Sequence, residues 1–401
     1  VPHAHAKHRQ PAAPHTGVHN TLPQRLDALD GLRAVASLGI IVTHVSFQTG
    51  TGWGWAERFD YFVAVFFALS AFVLWRRRER YAARGWSRYY RSRTARIAPA
   101  YLVCVTAVLA LLPSAAGVSL QQVTANLTST QIFWPDGLAP GLTHLWSLCV
   151  EIAFYLTMPL LAIAVDLLPG GRRVRCLVIA AWAAVSLGWA WLPFVANADS
   201  DGINTQIWPP AYTLWFAVGM LAAEAEGRVP AWVQRAARWR WLWLGLAAGC
   251  IWLASREWFG PRGLAHPDPD EFARRILVGG AFAACVVLPF VFAPRSRVLE
   301  SAPLQAAGVW SYGIFLWHVA VLDLVFPLLG IDLFSGGAIN FVLVWLATVA
   351  GTVVVSAAGY EWVERPGARV VRALWPVRED AANTQAIAPA HRAVTSTESP
   401  A

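Results

Sequence analysis

The chain has 401 residues, of which 56% are hydrophobic and only 14% charged, and its mean hydropathy is +0.44. A soluble domain carries about 25% charged residues, and a chain of this size with so few cannot cover its own surface in water. The net charge of +8 does not mark a nucleic-acid partner, because the basic residues cluster between apolar runs instead of lining one helix or patch. The composition implies an all-α, polytopic integral membrane protein.

Residues 1–25 hold Pro2, Pro11, Pro14, Pro23 and five histidines, His3, His5, His8, His15 and His19. No apolar core follows them, so they do not read as a signal peptide. The histidine spacing is irregular and no Cys or acidic ligand joins it, which predicts a disordered tail and not a metal site. Apolar runs then fall at about 30–49, 59–75, 97–113, 144–168, 174–195, 209–225, 239–255, 276–293, 307–329 and 339–359. At roughly 20 residues per span, these predict ten membrane helices within a domain of residues 26–367. Residues 368–401 read as a second tail, mostly disordered. Cys104, Cys149, Cys176, Cys250 and Cys285 lie in or beside apolar runs with neither metal-ligand nor disulfide spacing, and read as packing groups.

An even number of spans puts both tails on one side, and the basic residues say which. The N-terminal stretch through Arg33, the nine arginines from Arg76 to Arg96, three later loops on the same side and the C-terminal stretch hold 27 of the 32 basic residues. The opposite face keeps only Arg58, Arg256, Arg262, Arg274 and Arg275. By the positive-inside rule both tails are predicted to be cytoplasmic, in the inner (plasma) membrane.

A charged group deep in a bilayer costs several kcal/mol and calls for a reason. Arg33 and His44 on the first span are eleven residues apart, close to three full turns. They share one helix face about 16 Å apart, Arg33 near the cytoplasmic mouth and His44 past the midplane. Asp30 and Arg33 are spaced to pair. On the fourth span His144, Ser147, Glu151 and Tyr155 form one stripe, with His144 at the water-exposed outer mouth and Glu151 unable to satisfy itself within its own helix. On the ninth span Ser311 and His318 lie two turns apart on one face. Arg93 and Arg96 are predicted at the start of the third span, with Pro99 in its first turn, where guanidinium groups and a helix N-terminus can grip phosphate. The plainer alternative for these polar stripes is a set of interhelical hydrogen bonds, and for the arginines, topology alone.

Six stretches carry a resemblance: LDGLRAVASLGIIVTH, FFALSAF, RTARIAPAY, HLWSLCVEIAFY, SYGIFLWH and YEWVERP. In this order they resemble the Arg-x10-His, FFxLSGF, RxxRIxPxY, WSLxxExxFY and SYGxYLWH motifs and the acidic-Arg-Pro close of the acyltransferase-3 family, bacterial membrane O-acyltransferases that use acyl-CoA. The resemblance runs from about residue 26 to 367, with Ala71 where the family usually has Gly. It implies that His44 is the catalytic base and Arg33 its essential companion. It further implies that Arg93 and Arg96 handle acyl-CoA, and that Glu151, Trp146 and Ser147 build or orient the site. The short stretch after the last span implies a stand-alone member without the SGNH esterase-like domain of some relatives.

The chemistry fits these residue types. Acyl transfer from a thioester needs a base for the acceptor hydroxyl, which a neutral histidine supplies, and a donor to the oxyanion, for which Ser147, Tyr155 and His318 are candidates. Ser311 joins them as a substrate-binding candidate. No metal or other cofactor is required. Direct transfer and a covalent acyl-histidine both remain open. The implied acceptor is a carbohydrate or glycolipid of the cell envelope, with a secondary metabolite such as a macrolide as the alternative. A reading of another class is a proton-coupled transporter or flippase with His44 and Glu151 as its relay. Oligomeric state is not legible.

Overall fold

The computed structural model describes residues 26–197 and 202–377. The predictions for residues 1–25 and for those after 377 fall outside them. The described residues contain helices and no strand, as expected where every backbone group inside a bilayer must be bonded within its own segment.

The principal helices are α1 (Asp27–Thr49), α2 (Phe62–Trp75), α3 (Trp86–Leu111), α4 (Trp146–Asp166) and α5 (Gly171–Ser186). They continue as α6 (Thr213–Ala225), α7 (Arg240–Ala254), α8 (Pro269–Phe292), α9 (Ala302–Leu329) and α10 (Ala338–Gly359). All ten predicted spans thus appear as helices. Eight of these helical runs are long and apolar enough to cross a membrane. The exceptions are α6 and α7, of 13 and 15 residues, short of the roughly 20 that a full span needs.

The core is built around α1, α2, α6 and α9. Small residues let these helices approach closely: a Cβ on Gly219 of α6 would strike the carbonyl of Ala68 on α2. Ala71, at the position where a glycine was expected, is fully buried in the same helix. A buried charge cluster ties the arginine-rich ends together. Glu224 of α6 accepts from Trp75 Nε1 at 2.9 Å and from Arg175 Nε at 3.1 Å, and Arg78 Nη1 lies 3.1 Å from the same carboxylate. Arg78 is therefore a structural group as well as a topological one.

Two sequence expectations need correcting. The helix carrying Arg93 and Arg96 starts at Trp86, not near residue 97. The segment Trp86–Ala98 is too polar to register as apolar, yet it presents Tyr89 and Ala95 to the core. Tyr89 and Tyr90 donate to the carbonyls of Tyr155 and Leu156 on α4, each at 2.9 Å. Arg93 and Arg96 consequently sit about two turns inside the helix, where its N-terminal dipole no longer helps them. Pro99 lies in the helix interior and denies the Ala95 carbonyl its usual donor.

The second correction concerns His144. It belongs to a tight turn, Thr143–Leu145, ahead of α4, and is 3% exposed. It is not at a water-exposed mouth, because the turn folds inward beneath α9.

Candidate active site

A cavity of about 440 Å³ opens among α1, α2, α3, α4 and α9. Seven of the ten residues singled out from the sequence line it: Arg33, Arg93, Arg96, Ser147, Glu151, Tyr155 and Ser311. Its size is that of a small-molecule site. Arg33 donates to Asp30 Oδ1 at 2.7 Å, the predicted pair. Arg93 lies over the Tyr155 ring and Arg96 over the Tyr312 ring, each at 5.9 Å. Arg96 also faces Glu364, with Nη1 3.8 Å from Oε2. Glu364 is brought there by a π-helical turn, Tyr360–Glu364, at the end of α10, a device often found at functional sites. The same turn places Tyr360 in the cavity wall.

Glu151 is satisfied within the bundle, and partly by its own helix, contrary to the sequence expectation. Tyr155, one turn on, donates to Glu151 Oε1 at 2.5 Å, and Ser70 of α2 donates to the same oxygen. Periodicity had put Glu151 and Tyr155 on one stripe but could not show that the phenol turns back on the carboxylate.

His44 lines a separate, smaller hollow of about 90 Å³. Val63, Ser147 and Phe315 border both spaces, so they form the partition between the arginine-lined cavity and the histidine. Trp146 lines the histidine side only. His318 lines neither space; its ring centroid lies 5.0 Å from that of His44. His144 completes the group, 4.5 Å from His318 and 6.1 Å from His44.

Hydrogen bonds place one proton on each of two of these rings. His318 Nδ1 lies 2.8 Å from the Phe315 carbonyl, and His144 Nε2 lies 3.2 Å from the Leu316 carbonyl. A carbonyl only accepts, so each of these nitrogens carries its proton. The other nitrogens, His318 Nε2 and His144 Nδ1, are buried without a partner among the described residues. The three oxyanion-donor candidates are engaged as well: Ser147 donates to the His144 carbonyl at 3.1 Å, Tyr155 to Glu151 and His318 to Phe315.

The family model for an acyltransferase domain matches residues 26–361, most of the chain. The protein belongs to the acyltransferase-3 family. Among its relatives is acyltransferase MdmB of Streptomyces mycarofaciens, 27% identical over 82% of this chain and 89% of that protein. Peptidoglycan O-acetyltransferase OatA of Listeria monocytogenes is 22% identical over 84% of this chain, and nodulation protein 10 of Rhizobium leguminosarum is 25% identical over 56% of it. The chain spans little more than half the length of these last two, 55% and 54%. No solved structure matches it. The protein is thus a membrane-embedded acyltransferase, and the two spaces described above are where its chemistry is to be sought.

The family motifs converge on these spaces. Ser70 of FFALSAF, Asp30, Tyr312 and Tyr360 join the large cavity without having been singled out as site residues. All four lay inside quoted motifs, which was the available signal; that Tyr360 reaches the cavity wall depends on the π turn, which no hydropathy pattern reveals.

Proposed function

We propose that the protein moves an acyl group from acyl-CoA to a hydroxyl of a carbohydrate or glycolipid of the cell envelope, with His44 as general base. The observation that carries this reading is the juxtaposition of an arginine-lined cavity with a histidine hollow across the partition Val63–Ser147–Phe315. Arg93 and Arg96 supply charge for the phosphates of the donor, and Arg33 lines the path inward. With both tails cytoplasmic in the plasma membrane, the large cavity faces the side on which acyl-CoA is made.

The reaction balances without an external cofactor. His44 takes the acceptor hydroxyl proton as the oxygen attacks the thioester carbonyl. Ser147 sits at the partition, and its hydroxyl can rotate from the His144 carbonyl to the oxyanion. The tetrahedral intermediate collapses with loss of the C–S bond, and the leaving thiolate takes the proton back from the imidazolium. His318, with its ring centroid 5.0 Å from that of His44, stands beside the imidazolium that this step forms.

The carbohydrate class is favoured by OatA, whose name gives peptidoglycan as its acceptor; the macrolide alternative rests on the family resemblance alone. Purified protein with labelled acetyl-CoA and a membrane glycolipid extract tests the reading. Label in the glycolipid fraction supports it. Proton-coupled uptake with the thioester left intact would establish the transporter in its place.

A further inference from the structure

Beside the hollow of His44 lies a third hollow of about 70 Å³, which shares only Val63 with the arginine-lined cavity. It shares the wall residues Asp60, Val63, Trp146, Gly263 and Leu264 with the hollow of His44 and therefore adjoins it. Its other walls include Tyr61, Gln206, Tyr212, Trp215 and Arg275. Tyr61, Gln206, Tyr212 and Trp215 lie outside the family motifs, and Arg275 entered the sequence analysis only as a basic residue of the opposite face.

Four polar atoms of this wall are buried without a hydrogen-bond partner among the described residues: Asp60 Oδ1, Tyr61 Oη, Gln206 Oε1 and Arg275 Nη2. Tyr61, Gln206 and Arg275 are 2%, 1% and 8% exposed. Each side chain is held in place by its other end or its neighbours. Gln206 Nε2 donates to the Pro267 carbonyl at 2.9 Å, and Arg275 Nε donates to the Phe259 carbonyl at 2.7 Å. An unsatisfied buried polar atom costs about 1–3 kcal/mol, so four gathered in one small space point to something that satisfies them.

Their chemistry says what that is. Gln206 Oε1 and a carboxylate oxygen of Asp60 accept, Arg275 Nη2 donates, and the Tyr61 hydroxyl does both. An anion would meet Asp60 and a cation would meet Arg275, so neither is matched. Sugar hydroxyls donate and accept at once and are neutral. Trp146, Tyr212 and Trp215 stand in series, with centroids 5.2 Å and 4.8 Å apart, and offer apolar faces beside the polar atoms, as a sugar ring requires.

The geometry points to this hollow as the acceptor subsite, holding the hydroxylated edge of one neutral sugar ring so that an adjoining hydroxyl reaches His44. The assignment rests on the proposed acyl transfer and adds where its acceptor binds. The small volume admits the edge of a ring and leaves the rest of the acceptor outside.

The test uses the full chain in lipid nanodiscs, with n-butyl β-D-glucoside, n-butyl β-D-galactoside and n-butyl N-acetyl-β-D-glucosaminide as probes and butanol as the sugar-free control. Equilibrium binding is measured for the wild type, Tyr61→Phe and Gln206→Leu, with acetyl-CoA binding as the control for folding. At least one glycoside should bind about tenfold more tightly than butanol, and each variant should weaken it by about tenfold while acetyl-CoA binding is unchanged. Tyr61→Phe removes only an oxygen that has no hydrogen-bond partner among the described residues, so it should leave folding intact. Glycosides that bind no better than butanol, or that bind wild type and variants alike, overturn the subsite. Thioester turnover is followed separately: if it persists while glycoside binding fails, the subsite falls and the acyltransferase reading stands. If a glycoside binds as expected but transfer is absent, the subsite stands and the assignment of the chemistry falls.

Discussion

His44 of α1 and His318 of α9 face each other with ring centroids 5.0 Å apart; His318 Nδ1 bonds to the Phe315 carbonyl and its Nε2 is buried without a partner among the described residues, free in the neutral ring to accept a proton. A base that must hold a proton briefly is helped by a neutral acceptor beside it. His318 lines neither space, so we propose that it acts by positioning His44. His318→Phe keeps the ring volume and removes the lone pair. It should lower turnover at saturation by about 10- to 100-fold, the worth of one hydrogen bond to a charged group, and leave acyl-CoA affinity unchanged. A change confined to the KM for acyl-CoA would contradict this role.

His144 separates the structural account from the sequence one. Exposed at a helix mouth, it would be dispensable; buried against His318 and bonded to the Leu316 carbonyl, it should not be. His144→Ala should lower the thermal midpoint, because an unpaired buried carbonyl and a void together cost at least 1–3 kcal/mol. It should also reduce turnover. Wild-type stability in this variant would return His144 to the surface role.

Arg93 and Arg96 should act on the donor alone. Alanine at either position should raise the KM for acyl-CoA by about 10- to 100-fold, from the loss of charge-assisted contacts of roughly 1.5–3 kcal/mol, with kcat changed only a few fold. Steady-state kinetics over a range of acyl-CoA concentrations separates the two parameters. Unchanged KM in both variants would leave these arginines as topology markers.

Much of this architecture was legible in sequence, for identifiable reasons. Apolar length gave the helices, and the eleven-residue spacing of Arg33 and His44 put both on one face. Helical period grouped Ser147, Glu151 and Tyr155, which line one cavity. What escaped was set by tertiary contacts. The lead-in to α3 is held by tyrosines bonding to α4, which hydropathy does not detect. Ser70 meets Glu151 only once α2 and α4 are packed, and the inward fold of Thr143–Leu145 depends on α9. The partition at Phe315 and the polar wall around Gln206 and Arg275 are likewise products of packing between distant segments.

Orientation is testable without activity. Reporter fusions at residues 20 and 385 should be active only with a cytoplasmic reporter, as the positive-inside rule predicts from the distribution of basic residues along the sequence. An extracytoplasmic signal at either position would contradict the predicted ten-span topology.

The most direct measurement is acyl transfer by His44→Ala, compared with wild type at matched expression and with acyl-CoA binding and thermal stability recorded for both. A general base contributes about 10²- to 10⁴-fold, so the variant should lose transfer by at least that lower figure while still binding acyl-CoA. Retention of more than about a tenth of wild-type turnover, far outside that range, would show that the proton is taken elsewhere and that the hollow of His44 is not the catalytic centre.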